Sequence, residues 1–189
     1  MNVKLLIFNM GILTAATMVL LVEYIAFPSI FAQTTTPPST ITSHASTNTT
    51  LDTILGTPFF EDRGSKVTGT RVISNNPIQT EDSFVANVTI RGIGNATDTG
   101  TFITTHKPSG ITTSEGQGII SADDGEIATY TAKDLGFTNE KGDTTYRGIQ
   151  IFNTNTTGKM AFMDNLVGLY VYENNADGDR ITGKIWEWK

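Results

Sequence analysis

No cysteine occurs in this chain of 189 residues. That absence excludes a disulfide framework, thiolate zinc sites and thiol nucleophiles. Histidine is nearly missing too, with only His44 and His106, so imidazole chemistry has little material to work with. Basic residues are scarce: 13 Lys and Arg stand against 19 Asp and Glu, for a formal net charge of −6. No basic run offsets that balance, which argues against a nucleic-acid partner. A sustained 3.6-residue apolar period is also missing, and with it long amphipathic helices. Tryptophan appears only as Trp186 and Trp188, within the stretch ITGKIWEWK.

What is present begins with an apolar leader. Lys4 precedes a mostly apolar run from Leu5 to Leu21, and Ile30-Phe31-Ala32 fits the small-residue cleavage rule. These features predict a signal peptide over residues 1–32, cut before Gln33, and a secreted, extracellular protein. The rival reading is an uncleaved membrane anchor displaying the rest outside, because the run is long enough to span a bilayer. Glu23 and Pro28 interrupt it and favour cleavage. Residues 33–50 read QTTTPPSTITSHASTNTT. With so little apolar surface to bury, this segment is expected to be a flexible tether, and His44 within it to be inert. Asn48, Asn87, Asn95 and Asn155 each open an N-x-T sequon, which in an exported chain makes them candidate glycosylation sites. A chain rich in Asn and Thr also produces such triplets by chance.

From Leu51 onward apolar and polar residues alternate at period two, between turn residues such as Asp123-Asp124-Gly125 and Asp177-Gly178. The pattern predicts eight strands: Lys66–Ser74, Ser83–Arg91, Gly100–Thr105, Thr112–Ser121, Glu126–Lys133, Thr144–Asn153, Leu166–Glu173 and Ile181–Trp188. Eight short antiparallel strands can close on themselves and so remove exposed sheet edges. The expected fold of residues 51–189 is therefore an all-β, eight-stranded antiparallel closed β-barrel, with a two-sheet sandwich as the alternative. Glycines inside the strands, among them Gly69, Gly116, Gly118, Gly148, Gly168 and Gly183, are read as coiling points or bulges. In the last strand Ile181, Gly183 and Ile185 should face the interior. Trp186 and Trp188 should face out, under the Thr57-Pro58-Phe59-Phe60 segment.

Several stretches carry a family resemblance: Gly116-Gln117-Gly118, Ala122-Asp123-Asp124-Gly125-Glu126, Tyr146-Arg147-Gly148, Leu166-Val167-Gly168 and Trp186-Glu187-Trp188-Lys189. They resemble a group of secreted and cytosolic proteins with an allene-oxide-cyclase/dirigent-like (calycin-like) barrel. The resemblance spans roughly Lys66 to Lys189. Related sequences carry Leu-Asn ahead of the Val-Gly pair, where this chain has Met163-Asp164-Asn165-Leu166. The resemblance implies a barrel with an apolar interior. It does not imply cyclase chemistry, since that enzyme's ligand-binding residues have no counterparts that can be placed on this chain.

No catalytic set emerges. His106 adjoins the turn Lys107-Pro108-Ser109-Gly110 and reads as a solvated loop histidine rather than a triad member. The run Glu173 to Gly178 echoes a calcium loop, but position twelve is Lys184, so a hairpin turn is the better reading and no metal site is assigned. Gly92-Ile93-Gly94 and Gly116-Gln117-Gly118 precede no helix and make poor phosphate cradles, so no cofactor is expected. Arg147 shares parity with Ile149 and Ile151, and Glu173 with Val167, Leu169 and Val171. If those aliphatic faces point inward, Arg147 and Glu173 meet at one barrel mouth, with Glu115 near the rim. Such a cluster reads either as an ion pair that fixes register or as a polar anchor for a small apolar ligand. Two functions follow as expectations: a non-catalytic binding or structural module outside the cell, or a carrier or isomerase-like enzyme for a small apolar molecule held in the barrel.

Overall fold

A computed structural model describes residues 47–189. The signal-peptide reading and most of the tether fall outside the described residues. Helix α1 (Thr47–Leu55) is followed by β1 (Phe60–Asn75), β2 (Ile78–Ile90), β3 (Gly94–His106) and β4 (Ile111–Ala122). Then come β5 (Ile127–Thr138), β6 (Thr144–Asn153), a short 3-10 helix (Lys159–Met163), β7 (Val167–Asn174) and β8 (Ile181–Glu187). Each strand pairs antiparallel with its sequence neighbours, and β1 pairs with β8, closing an eight-stranded barrel. The expected fold is the one observed. The helix α1 runs across the boundary at Leu51 that composition suggests, and so joins the barrel domain to the tether.

Ladder register explains how the interior is filled. Six aromatic residues each stand directly opposite a glycine on the next strand: Phe84–Gly100, Phe102–Gly116, Tyr130–Gly118, Tyr146–Gly136, Tyr170–Gly148 and Tyr172–Gly183. A Cβ built on any of these glycines would lie closer than 3.0 Å to the facing ring. The ring thus lies flat over its neighbour's backbone, which lets large side chains share the narrow interior of an eight-stranded barrel. Gly116 and Gly118 sit in unbroken register with both neighbouring strands. They are beds for rings rather than bulges, which corrects the bulge alternative of the reading from sequence. The bulges lie in β1, between Asp62 and Lys66, Val67 and Gly69, and Val72 and Ser74.

The interior has an apolar end and a polar end. Phe60, Val88, Ile90, Ile120, Phe152 and Ile185 are buried at the apolar end. Phe59 and the 3-10 helix residues Met160 and Met163 join the same cluster. Glu126 fastens this segment by accepting hydrogen bonds from the Met160 N–H (2.7 Å) and the Thr156 hydroxyl (2.9 Å).

Strand β8 presents Ile185 inward, opposite Phe60 and Tyr170, as its pattern predicts. Trp186 points the other way and is nonetheless fully buried. Its indole N–H donates to Asp52 of α1 at 2.9 Å, so α1 takes the place on Trp186 that the sequence reading gave to Thr57–Phe60. Phe60 lies inside the barrel, and Trp188 remains 58% exposed. Replacing Asp52 with alanine should leave the buried indole N–H without its acceptor and cost about 1–2 kcal/mol. Chemical denaturation followed by tryptophan fluorescence checks this, and a red-shifted native spectrum would accompany loosening of α1.

Candidate functional site

The polar end of the interior is built from alternate residues of six strands. Asp62 comes from β1, Asp98 and Thr104 from β3, Ser114 from β4, Tyr130 and Asp134 from β5, Tyr146 from β6 and Tyr170 and Tyr172 from β7. Register fixes their direction: Asp62 stands opposite Val88 and Gly183, and Asp98 opposite Ala86 and Ile120. Both carboxylates are buried, with relative exposures of 3% and 2%. Asp98 accepts from the Tyr130 hydroxyl at 3.1 Å, and Asp134 accepts from the Tyr170 hydroxyl at 2.7 Å. Asp62 accepts from the Ser65 hydroxyl and from the Gly64 N–H at 2.8 Å. Tyr170 packs edge-on against Tyr172 with ring centroids 5.6 Å apart, and Thr104 and Ser114 share a hydrogen bond of 3.1 Å.

Burial sets the electrostatics. Asp98 is pushed up to about 7, first by desolvation, with the Tyr130 hydrogen bond pulling it back and the neighbouring Asp62 raising it further. Asp62 and Asp134 are raised by desolvation too, against the hydrogen bonds they accept. Desolvation, followed by the nearby carboxylates, raises Tyr130, Tyr170 and Tyr172, so these phenols stay protonated donors. The cluster can hold a carboxyl proton near neutrality inside a largely water-excluded space.

A sign follows for stability. The folded state holds the Asp98 proton up to about pH 7, whereas an unfolded Asp releases it near 3.8. Stability therefore falls as pH rises from about 4 to about 7 and is level above that. The shift corresponds to about 4 kcal/mol. Asp98→Asn removes this penalty but adds an amide donor with no assured acceptor, which returns about 1–3 kcal/mol. At pH 8 the variant should be the more stable by about 1–3 kcal/mol, and its urea midpoint should vary less between pH 5 and 8 than that of the parent.

The residues singled out from sequence lie elsewhere. Ile149 and Ile151 are 38% and 41% exposed, while Gln150 and Phe152 between and after them are buried. The aliphatic parity of β6 is thus the outer face, and β7 follows it, with Tyr170 and Tyr172 inside. Arg147 and Glu173 consequently point outward. Arg147 stands opposite Val171, its guanidinium 6.0 Å from the Phe137 ring centroid, and Glu173 stands opposite Thr145. Glu115 is also outside, in an exposed ion pair with Lys133 at 2.8 Å. Of the three, Glu173 lines a groove of about 360 Å³ with Glu61, Asp62, Arg63, Arg180 and Lys184. A second groove of about 490 Å³ lies beside Asp124, Glu126, Thr129, Asn153 and Asn155.

Asn87, Asn95 and Asn155 are exposed. Asn48 falls in the first turn of α1. His106 ends β3, exposed, with Nε2 3.0 Å from the Thr80 hydroxyl. The stretch from Glu173 to Gly178 forms the β7–β8 hairpin, closed by the Asn175 N–H to the Arg180 carbonyl. The interior acids and tyrosines were missed because sequence parity alone does not say which face is inside. A usable signal was present: Tyr146, Gly148 and Phe152 share parity, as do Gly168, Tyr170 and Tyr172.

No family model matches this chain, and no curated protein matches it. Solved structures share its fold, two of them as follows. One is a conserved protein of unknown function from Rhodopseudomonas palustris, 12% identical, with a TM-score of 0.57, covering 69% of this chain and 93% of its own. The other is a protein of unknown function from Clostridium acetobutylicum, 14% identical, with a TM-score of 0.52, covering 70% of this chain and 98% of its own.

Proposed function

We propose that this protein is an exported, non-catalytic binding or structural module: a β-barrel carried outside the cell on a Thr/Ser-rich tether. The observation that carries this reading is the occupied interior. Six ring–glycine pairs and the Phe59, Met160 and Met163 cluster fill the barrel with its own side chains. The three buried or half-buried interior carboxylates each take a hydroxyl donor from within the barrel. Groups already matched in this way serve packing and register before they serve a guest.

A second reading rests on Asp98 and Tyr130. A carboxyl that holds its proton near neutrality beside a phenol is suited to passing a proton to or from a small apolar guest, as a carrier turned isomerase of the allene-oxide-cyclase-like kind would need. Native mass spectrometry of protein purified from its own host separates the two readings. A bare mass supports the module. A co-purifying small molecule decides for the carrier. Amino-terminal sequencing of the same sample should begin at Gln33, and recovery of Met1 in the membrane fraction would establish an anchor instead.

A further inference from the structure

Strand β1 is longer than the seam it closes. Its ladder with β8 runs from Phe60 opposite Ile185 to Ser65 opposite Ile181 and stops there, because β8 begins at Ile181. Its ladder with β2 continues as far as Asn75 opposite Ile78. From Lys66 to Asn75, then, β1 is paired along one side. Among the described residues no strand pairs with its other side. The backbone groups along that side form an open sheet edge, which is a template for one more strand.

The residues of this edge suit pairing. Val67, Val72 and Ile73 are β-branched and 48%, 69% and 43% exposed. Arg71 is already matched by Glu81 of β2 at 3.0 Å. Bulges around Thr68 and Ile73 twist the strand without ending it, since the ladder with β2 resumes after each.

The edge also matches a reversed copy of itself. Laid antiparallel on a second β1 with Thr70 on the two-fold axis, Thr70 faces Thr70, Gly69 faces Arg71, Thr68 faces Val72 and Val67 faces Ile73. No like charges meet, the long Arg71 side chain faces a glycine, and exposed aliphatic residues cover each other. Moving the axis by one residue loses this fit. On Arg71 two arginines stand face to face, and on Gly69 Val67 faces Arg71 and Lys66 faces Val72. A contact of this kind uses the same strand from both copies and closes on itself.

We propose that the occupant of this edge is a second copy of the chain: residues 67–73 of two β1 strands pair antiparallel about Thr70 and join two barrels through one continuous sheet. The pairing goes beyond the binding or structural role and stands whether or not that role holds.

The lack of cysteine gives a direct test in the full chain. Thr70→Cys puts the single thiol of each copy on the axis, with Cα atoms about 4.5–5.5 Å apart, within reach of a disulfide. Val72→Cys sets the two thiols four residues out of step, about 13 Å apart, beyond that reach. Mild oxidation should cross-link Thr70→Cys into a dimer about tenfold faster than Val72→Cys, or more. Sedimentation of the unaltered chain should give twice the chain mass. Thr68→Lys with Val72→Lys sets lysines face to face and should weaken the dimer about tenfold, whereas Thr68→Lys with Val72→Glu sets opposite charges face to face and should keep it. Both positions are exposed, so the melting transition of the barrel should stay that of the parent in either variant. A monomer mass at every concentration would overturn the proposal. So would equal cross-linking at the two positions, equal loss in the two double variants, or a different protein chain found paired to this edge.

Discussion

Deleting residues 181–189 is expected to leave a chain that does not fold cooperatively. Strand β8 pairs with both β7 and β1, so its loss exposes two long unpaired edges. It also removes Ile185 from the core and the fully buried Trp186 from beneath α1. Each large side chain contributes about 1.5–3 kcal/mol when fully buried. Added to the lost ladders, this approaches the whole stability of a domain of this size, about 5–15 kcal/mol. Circular dichroism is the measurement, because the truncated chain retains no tryptophan for fluorescence. A cooperative β-sheet melting transition in the truncated protein would mean that the barrel does not depend on closure through β8.

The second large effect is expected at Gly118. A valine there would place its side chain inside the space of the Tyr130 ring. Tyr130 cannot step aside easily: its hydroxyl is bonded to buried Asp98 and its ring packs against Phe152 at 5.9 Å between centroids. Overpacking costs about 1–3 kcal/mol. Stranding the Asp98 carboxyl adds about 1–3 kcal/mol. Gly118→Val should therefore lose roughly 2–6 kcal/mol, seen as a fall in melting temperature of ten degrees or more. Gly69→Ala is the matched control. It lies in a strand too, but no atom comes within 4 Å of the added methyl, so it should stay close to the parent. Equal losses at both positions would show that the cost is general to strand glycines and not a collision with the ring.

These two sites mark where sequence reading succeeded and where it stopped. The eight strands and the closed barrel were legible because period-two alternation and turn residues are local signals. The inward direction of Ile185 was legible because β8 sets aliphatic residues and glycine against Thr182, Lys184 and Trp186. The same rule failed in β6 and β7. There both faces carry apolar residues, Ile149, Ile151 and Leu169 on one and Tyr146, Phe152, Tyr170 and Tyr172 on the other. A narrow barrel resolves the tie in favour of rings, because Tyr146, Tyr170 and Tyr172 each have a glycine opposite to lie over. That pairing joins residues on different strands, so it becomes visible only once register is known. The interior carboxylates stayed hidden for the same reason. Asp62 and Asp98 are 36 residues apart in the chain, on the two strands that flank β2, so their placement on one face also depends on register.

The order of strands carries a further consequence for how the molecule assembles. Seven of the eight ladders join neighbours in sequence, and the connections between them are short, the longest being the segment from Thr154 to Leu166. Such hairpins close small loops at little entropic cost and can form early. The β1–β8 ladder alone must bring together segments separated by most of the domain, so it bears nearly all of the long loop-closure cost and should form last. Changes at Glu61, Asp62, Gly183 or Lys184 should then act chiefly on the rate at which the barrel comes apart, leaving the rate at which it assembles almost untouched.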